Sequence, residues 1–285
     1  MAELYENYPD DDEVATFYAL AVISARSASG GDLDNRMAVR AGTIALDIFN
    51  SNPLHPGAAH YTIHAFDDPI HAPLALEAAN QFAKTAPAVS HARHMPTHIF
   101  IQHGMWDLVS GHNESAYSAA RELWRPGQSM GDAIHSLDWG HYGDLQRGDY
   151  EKARLWIERI EAMSSQGGFA EGGARGASGA ARAMNTVALT KNRYIVDTEE
   201  WQIQDITEDS PDHQLLATAL SAYHNKDQAT LAAAEQELKR RVDSGDGGYT
   251  SIMANQTSAL LHAGMNHPDV AVRFFDQAVE TITPM

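Results

Sequence analysis

The chain has 285 residues, 44% of them hydrophobic, and a formal net charge of −18 at pH 7. This acidic balance argues against a nucleic-acid or membrane-surface partner, because both need a footprint of lysine and arginine. With no cysteine, disulfides and thiolate metal sites are excluded, and any metal ion has to be held by histidine, aspartate or glutamate. The chain has neither a run of about 18 apolar residues nor a signal-peptide pattern at its start, so we expect a soluble, cytoplasmic protein.

Helical patterns account for nearly the whole chain, beginning with a short helical stretch over residues 1–9 that a proline closes. A helix over residues 13–28 follows three aspartates that can cap its start. A second helix, from about Asn35 to Asn50, has apolar residues at helical spacing. Alternating strand-like patterns are nearly absent. We therefore predict an all-α protein.

Three helix pairs follow, over residues 53–87, 90–124 and 134–163. Asp67-Asp68-Pro69 supplies the turn of the first pair, because a proline pushes the preceding residue out of the helical region. Gly104 marks the turn of the second pair. Residues 164–179 are glycine-rich and predict a loop. Further helices are predicted over residues 180–193, 212–223, 228–242, 251–264 and 269–282.

Two H-x-x-x-H pairs, His60/His64 and His94/His98, dominate the first half of the chain. The second pair lies 34 positions after the first, and 34 residues is the period of a helix-turn-helix repeat. Within a helix, residues i and i+4 lie on one face with Cβ atoms about 5–6 Å apart. Each pair can therefore direct two imidazoles at one ion.

The segment Gly148-Asp149-Tyr150 with Ala153, together with the 34-residue spacing, resembles the tetratricopeptide repeat. The segments HPGAAHYTIHAFDDP and HARHMPTHIF resemble a bacterial subgroup of that family with histidine-rich first helices. The resemblance implies an α-solenoid of stacked antiparallel helix pairs, with a histidine-lined concave groove in residues 1–165 and further pairs of the array in 180–285. It implies no particular reaction.

Two features qualify this resemblance. Pro96 falls inside the first helix of its repeat, where it removes a hydrogen bond and is expected to kink or restart the helix. Both ends of the chain lack the polar caps of a solenoid, so we expect them to lie within a longer array.

Neighbouring packed helices lie about 8–10 Å apart, so that the two H-x-x-x-H pairs can converge across one groove. Aligning the turn glycines Gly104 and Gly148 places His135 opposite His91 and Asp138 opposite His94. We predict metal ligation by the five histidines His60, His64, His94, His98 and His135. Imidazole ligands favour a divalent transition metal such as zinc, copper, nickel or iron.

Asp138 is predicted either to bind the metal or to accept a hydrogen bond that fixes an imidazole tautomer. If the site hydrolyses a small-molecule ligand, a metal-bound water is the nucleophile, with Asp138 or Glu114 as general base. His71, His103 and His112 are expected to be solvated or structural.

Other interpretations of the histidines remain open. Recurrence of the H-x-x-x-H pair is also expected from duplication of a packing pattern. The protein can also be a metal-free scaffold that binds a protein or peptide in the groove, which is the usual function of such a fold. Finally, the cluster can act as a pH sensor, since histidines that charge below about pH 6 would repel one another.

Overall fold

The computed structural model describes residues 1–28, 35–125, 128–165 and 179–282, and within these ranges it contains helices and no strand. The all-α prediction is confirmed. The chain divides into two compact units, Met1–Trp156 with Gly168–Gly179, and Ile157–Gly167 with Ala180–Met285. Among the described helices, none combines the length and the apolar character needed to cross a bilayer.

The first unit contains nine complete helices among its described residues and the start of a tenth, each close to a predicted element. They are α1 Ala2–Asn7, α2 Asp12–Ala28, α3 Arg36–Ser51, α4 Pro56–Ala65, α5 Ala72–Thr85, α6 Ser90–His94, α7 Pro96–Gln102, α8 Trp106–Leu123, α9 Gly131–Gln146 and α10 Tyr150–Ser165. Helices that follow one another in the chain pack together, as in the contacts of α3 with α4, α4 with α5 and α8 with α9.

One apolar cluster joins α3, α4, α5, α6 and α7. Large side chains such as Phe49, Ile63, Phe82 and Phe100 fill it, and fully buried alanines line the helix faces between them. Alanine on a contact face lets two helix backbones approach closely, and burial of the larger apolar groups stabilises the packing. The helices that carry His60, His64, His94 and His98 are therefore fixed by a shared core.

The helix restart predicted at Pro96 is confirmed. The helix α6 ends at His94 and α7 begins at Pro96, where the missing N–H costs little because the first turn of a helix has no partner for it. Met95, between them, keeps helical backbone angles of φ −49° and ψ −38°. His94 and His98 therefore still lie on the same face, as an i, i+4 pair does, although the helix is interrupted between them.

Gly42 on α3 allows the ring of Phe66, at the end of α4, to lie directly against the α3 backbone. A Cβ at Gly42 would collide with several atoms of that ring. The Gly42→Ala variant is expected to lose about 1–3 kcal/mol of unfolding free energy, because Phe66 is buried and cannot move aside cheaply. The measurement is urea-induced unfolding followed by far-UV circular dichroism.

Gly111 provides the matched control for that substitution. It is exposed on α8, with open space where a Cβ would stand. The Gly111→Ala variant is expected to be neutral or more stable by up to about 1 kcal/mol, because alanine has the higher helix propensity. Equal unfolding free energies for the two variants would contradict the close packing of Phe66 on α3.

The second unit contains helices α11 Gly179–Thr198, α12 Asp212–His224, α13 Gln228–Asp243, α14 Tyr249–Gly264 and α15 Pro268–Ile282. Each corresponds to a predicted helix, and α11 extends five residues beyond the predicted end at Arg193. Buried Leu215, Leu238 and Ala254 hold α12, α13 and α14 together. The glycine-rich loop predicted over 164–179 falls mostly outside the described residues.

Candidate metal centre

Six histidines of the first unit form two groups of three. The first triad is His60, His64 and His91, the second triad is His94, His98 and His135, and within each group one ligand atom per residue lies within 4.8 Å of the others. The structure thus brings together all five histidines predicted as ligands, but divides them between two groups. The sixth member, His91, was not predicted as a ligand.

In the first triad, three ring nitrogens meet around His60. Its Nε2 lies 3.1 Å from Nε2 of His64 and 3.1 Å from Nε2 of His91. The nitrogen of a neutral imidazole has either one proton or one lone pair, so these two short contacts cannot both be hydrogen bonds of His60. Nitrogens that bind one tetrahedral ion at about 2.0–2.1 Å lie about 3.3–3.4 Å from each other, close to the spacing observed here.

In the second triad, outer hydrogen bonds fix the tautomers of two imidazoles. His94 Nδ1 lies 2.7 Å from Asn113 Oδ1, and the amide nitrogen of Asn113 donates to the carbonyl of Val109. His98 Nδ1 lies 2.8 Å from Asp67 Oδ2. Both partners of the histidines are acceptors, so both Nδ1 atoms carry the proton.

The consequence of these tautomers is seen at the other ring nitrogens. His94 Nε2 and His98 Nε2 lie 3.3 Å apart, and each has a lone pair when the imidazole is neutral. Two lone pairs that face each other at this distance repel unless a cation lies between them. The second triad therefore has the donor orientation and the spacing of a metal site.

The electrostatic environment keeps the buried imidazoles neutral. Burial, together with the charges of neighbouring histidines, lowers the pKa of His60 to about 3 and that of His94 to about 3. Burial, followed by the charges of His98 and His91, lowers the pKa of His64 to about 4, although Asp67 opposes this shift. Because neutral imidazole is the form that binds metal ions, these side chains are ready to bind at neutral pH.

Asp67, in the turn between α4 and α5, is the carboxylate most closely tied to the second triad. One of its oxygens accepts from His98, and the other accepts from Gln102 Nε2 at 3.1 Å. Trp139 packs beside the same histidines, with ring centroids 5.0 Å from His94 and 4.5 Å from His98. The carboxylate thus orients the His98 ring, and the indole packs against both imidazoles.

Removing the Asp67 carboxylate is expected to weaken metal binding at the second triad. The Asp67→Ala variant leaves His98 without the acceptor that fixes its ring, and loss of such a partner typically costs 10–100-fold in metal affinity. The measurement is a competition titration against a chelator of known affinity. Asp68→Ala is the control, since Asp68 bonds to His71 and to the start of α5 but to neither triad; an equal loss in both variants would contradict this role for Asp67.

The two carboxylates predicted as general bases lie on α8 and on α9, the helix that carries His135. Asp138 is half-buried on α9 and Glu114 is half-buried on α8, and neither belongs to a triad. Asn113 and Asp67 are the acceptors that fix the tautomers of His94 and His98, and neither was predicted for this role. The predicted role of Asp138 as a ligand or as an acceptor from an imidazole stays a prediction. The general-base roles of Asp138 and Glu114 stay predictions.

Histidines outside the triads form structural hydrogen bonds. His71 Nδ1 lies 2.9 Å from Asp68 Oδ2, His103 Nδ1 lies 2.9 Å from the carbonyl of Ile99, and His112 Nδ1 lies 3.0 Å from the carbonyl of Arg93. His103 follows His98 by five positions and belongs to neither triad, so it is a useful control residue.

A comparison with protein-family models and with curated proteins finds no match to this chain. Its function therefore has to be inferred from the geometry of its own residues.

Proposed function

We propose that this protein is a helical-repeat protein of the tetratricopeptide type that binds divalent transition-metal ions at its two histidine triads and carries out metal-dependent chemistry on a small molecule. The observation that supports this most strongly is the convergence of Nε2 atoms at 3.1–3.3 Å. At His94 and His98 the Nδ1 hydrogen bonds leave those converging atoms as lone-pair donors. A packing cluster has no need of such an orientation.

The donor set favours one class of metal ion. Each triad offers three imidazoles and neither contains a carboxylate, and the chain has no cysteine. Such a set suits zinc, copper, nickel or iron and is a poor match for calcium or magnesium, which prefer oxygen.

Three protein ligands favour a catalytic role over a structural one. A structural zinc site is normally closed by four protein ligands, whereas a catalytic site keeps a position for water or substrate. An ion in such a site lowers the pKa of its bound water to about 7 and so supplies hydroxide at neutral pH. Asp138 and Glu114 are the proposed general bases for that water.

Access for a small molecule is available on the His91 side of the first triad. His91 is exposed, whereas His60 and His64 are half-buried. A cavity of about 280 Å³ is lined by residues that include Ser90, next to His91 in the chain, and Asp132. The charge of Asp132 acts on His91 and opposes the lowering of its pKa that partial desolvation of the ring causes. We therefore propose that a small polar substrate reaches the first triad from the exposed His91 side.

Elemental analysis of untagged protein, purified without added metal, tests the proposal. We expect at least one equivalent of a transition metal per chain, reduced in the His98→Ala variant and unchanged in His103→Ala. Protein that contains no metal and takes up none on titration, while its helical circular dichroism stays intact, would overturn the proposal. That result would direct the search to a protein or peptide partner of a metal-free scaffold.

A further inference from the structure

We infer that the two triads form one dinuclear centre, in which two metal ions share a small anionic ligand. This inference rests on the proposed function and goes beyond it: metal binding alone is equally compatible with two independent ions.

The two triads lie next to each other. The ring of His64, in the first triad, has its centroid 6.0 Å from that of His98, in the second. Rings within a triad are spaced at comparable distances, 4.7 Å for His60 and His64 and 5.1 Å for His94 and His98. A centroid spacing of about 4.5–7 Å is that of aromatic rings in direct contact. No other side chain therefore separates His64 from His98.

The packing of helices makes this contact a fixed feature of the fold. His64 lies on α4 and His98 on α7, and these two helices contact each other. The Nε2 atom of His64 faces that of His60 in the first triad, and the Nε2 atom of His98 faces that of His94 in the second. Because an ion lies only about 2 Å from each nitrogen that binds it, ions held by adjoining rings are near neighbours. Two-metal sites in enzymes have ions about 3.5–4 Å apart.

Charge determines what the shared ligand has to be. Two divalent ions bring four positive charges, and six neutral imidazoles bring none. Asp67 is bonded to His98, and the charge of Asp132 acts on His91. Neither carboxylate belongs to a triad, so two ions held by the imidazoles repel each other in a half-buried site, where repulsion between cations is stronger than in water. An anion that binds both ions reduces this repulsion.

The open positions of the ions make such bridging possible. Three imidazoles per ion leave a coordination position that no residue of either triad fills. Hydroxide, azide and the anionic oxygens of a carboxylate or phosphate ester have the size and the lone pairs to bind two ions at once. The inferred substrate class is therefore a small molecule with an anionic oxygen donor.

Copper(II) loading with azide as the probe tests the inference. Metal-free protein is titrated with Cu²⁺, the bound copper is counted, and the electron paramagnetic resonance signal is integrated before and after azide is added. For the wild-type protein we expect two bound equivalents and an integrated signal that falls well below two spins per chain with azide, because a bridging anion couples the two unpaired electrons. For His94→Ala we expect one bound equivalent and a full one-spin signal with and without azide, while His103→Ala behaves as the wild type.

The other outcomes separate the inference from the proposed function. Two bound equivalents with a full two-spin signal in the presence of azide would show independent ions and overturn the dinuclear centre alone. One bound equivalent in the wild-type protein would do the same. No bound copper in folded protein would overturn the proposed function together with the inference.

Discussion

The His60→Ala variant is expected to lose the metal ion of the first triad, with a fall in affinity of at least about 100-fold. The Nε2 atom of His60 lies 3.1 Å from the ring nitrogens of both other members, so that it is the centre of the triad. Loss of a partner that only orients a ligand already costs about 10–100-fold, and loss of a ligand itself costs more. Alanine offers no donor in its place.

Equilibrium dialysis of His60→Ala against a metal buffer gives the affinity and the number of ions bound. The second triad is expected to keep its ion, because His94 and His98 retain their bonds to Asn113 and Asp67. The His103→Ala variant is the matched control, since it also removes a half-buried imidazole but one that belongs to neither triad. Wild-type affinity at both sites in His60→Ala would contradict the assignment of the first triad.

Acid is expected to destabilise the metal-free protein steeply, beginning near pH 6.5. The folded-state pKa values of His60 and His94 are about 3 and that of His64 is about 4, against 6.5 for an unperturbed histidine. Between these limits the unfolded chain binds protons that the folded chain does not. The unfolding free energy therefore falls as the pH drops through 6.5 and continues to fall towards pH 4.

The size of this effect follows from the same linkage. Each of the three histidines contributes about 1–2 kcal/mol of destabilisation between pH 6.5 and pH 5. Urea unfolding of chelator-treated protein at pH 7, 6 and 5 measures the sum. The His60→Gln variant, which removes one titrating group, is expected to show a shallower dependence; a profile that stays flat between pH 7 and pH 5 in the wild-type protein would contradict the buried, neutral triads.

The helices of the first unit could be predicted because each has a local signal. Apolar periodicity, the Asp68-Pro69 turn and the glycines at 104 and 148 set the start and end of successive helices. The i, i+4 spacing put His60 with His64 on one helix face. It also held for His94 and His98 despite Pro96, since Met95 stays helical across the break.

The composition of the triads was beyond what spacing alone determines. His60 on α4 meets His91 on the five-residue α6 across 31 positions, with α5 between the two helices in the chain. The alignment of His91 with His135 was a signal for His91. That alignment shows how far along its helix His91 lies, but it does not show on which side of the helix the side chain stands. The same limit applies to Asp138, whose place opposite His94 in the alignment does not determine what its side chain contacts.

Asp67 shows why turn residues are hard to assign from sequence. It stands beside Asp68 in a turn, and capping explains a pair of aspartates there without any further role. Only the packing of α7 brings His98 and Gln102 to its two oxygens, from 31 and 35 positions away.

Anomalous diffraction from crystals of the metal-loaded protein tests the central claim most directly. Data collected at the absorption edge of the bound metal locate each ion without reference to the surrounding atoms. We expect a peak between the Nε2 atoms of His94 and His98 and another beside His60 Nε2, each at about 2.0–2.1 Å from its nitrogens. Loaded crystals with no peak at either triad, or with ions bound only at carboxylates elsewhere on the chain, would contradict the assignment of the triads as metal sites.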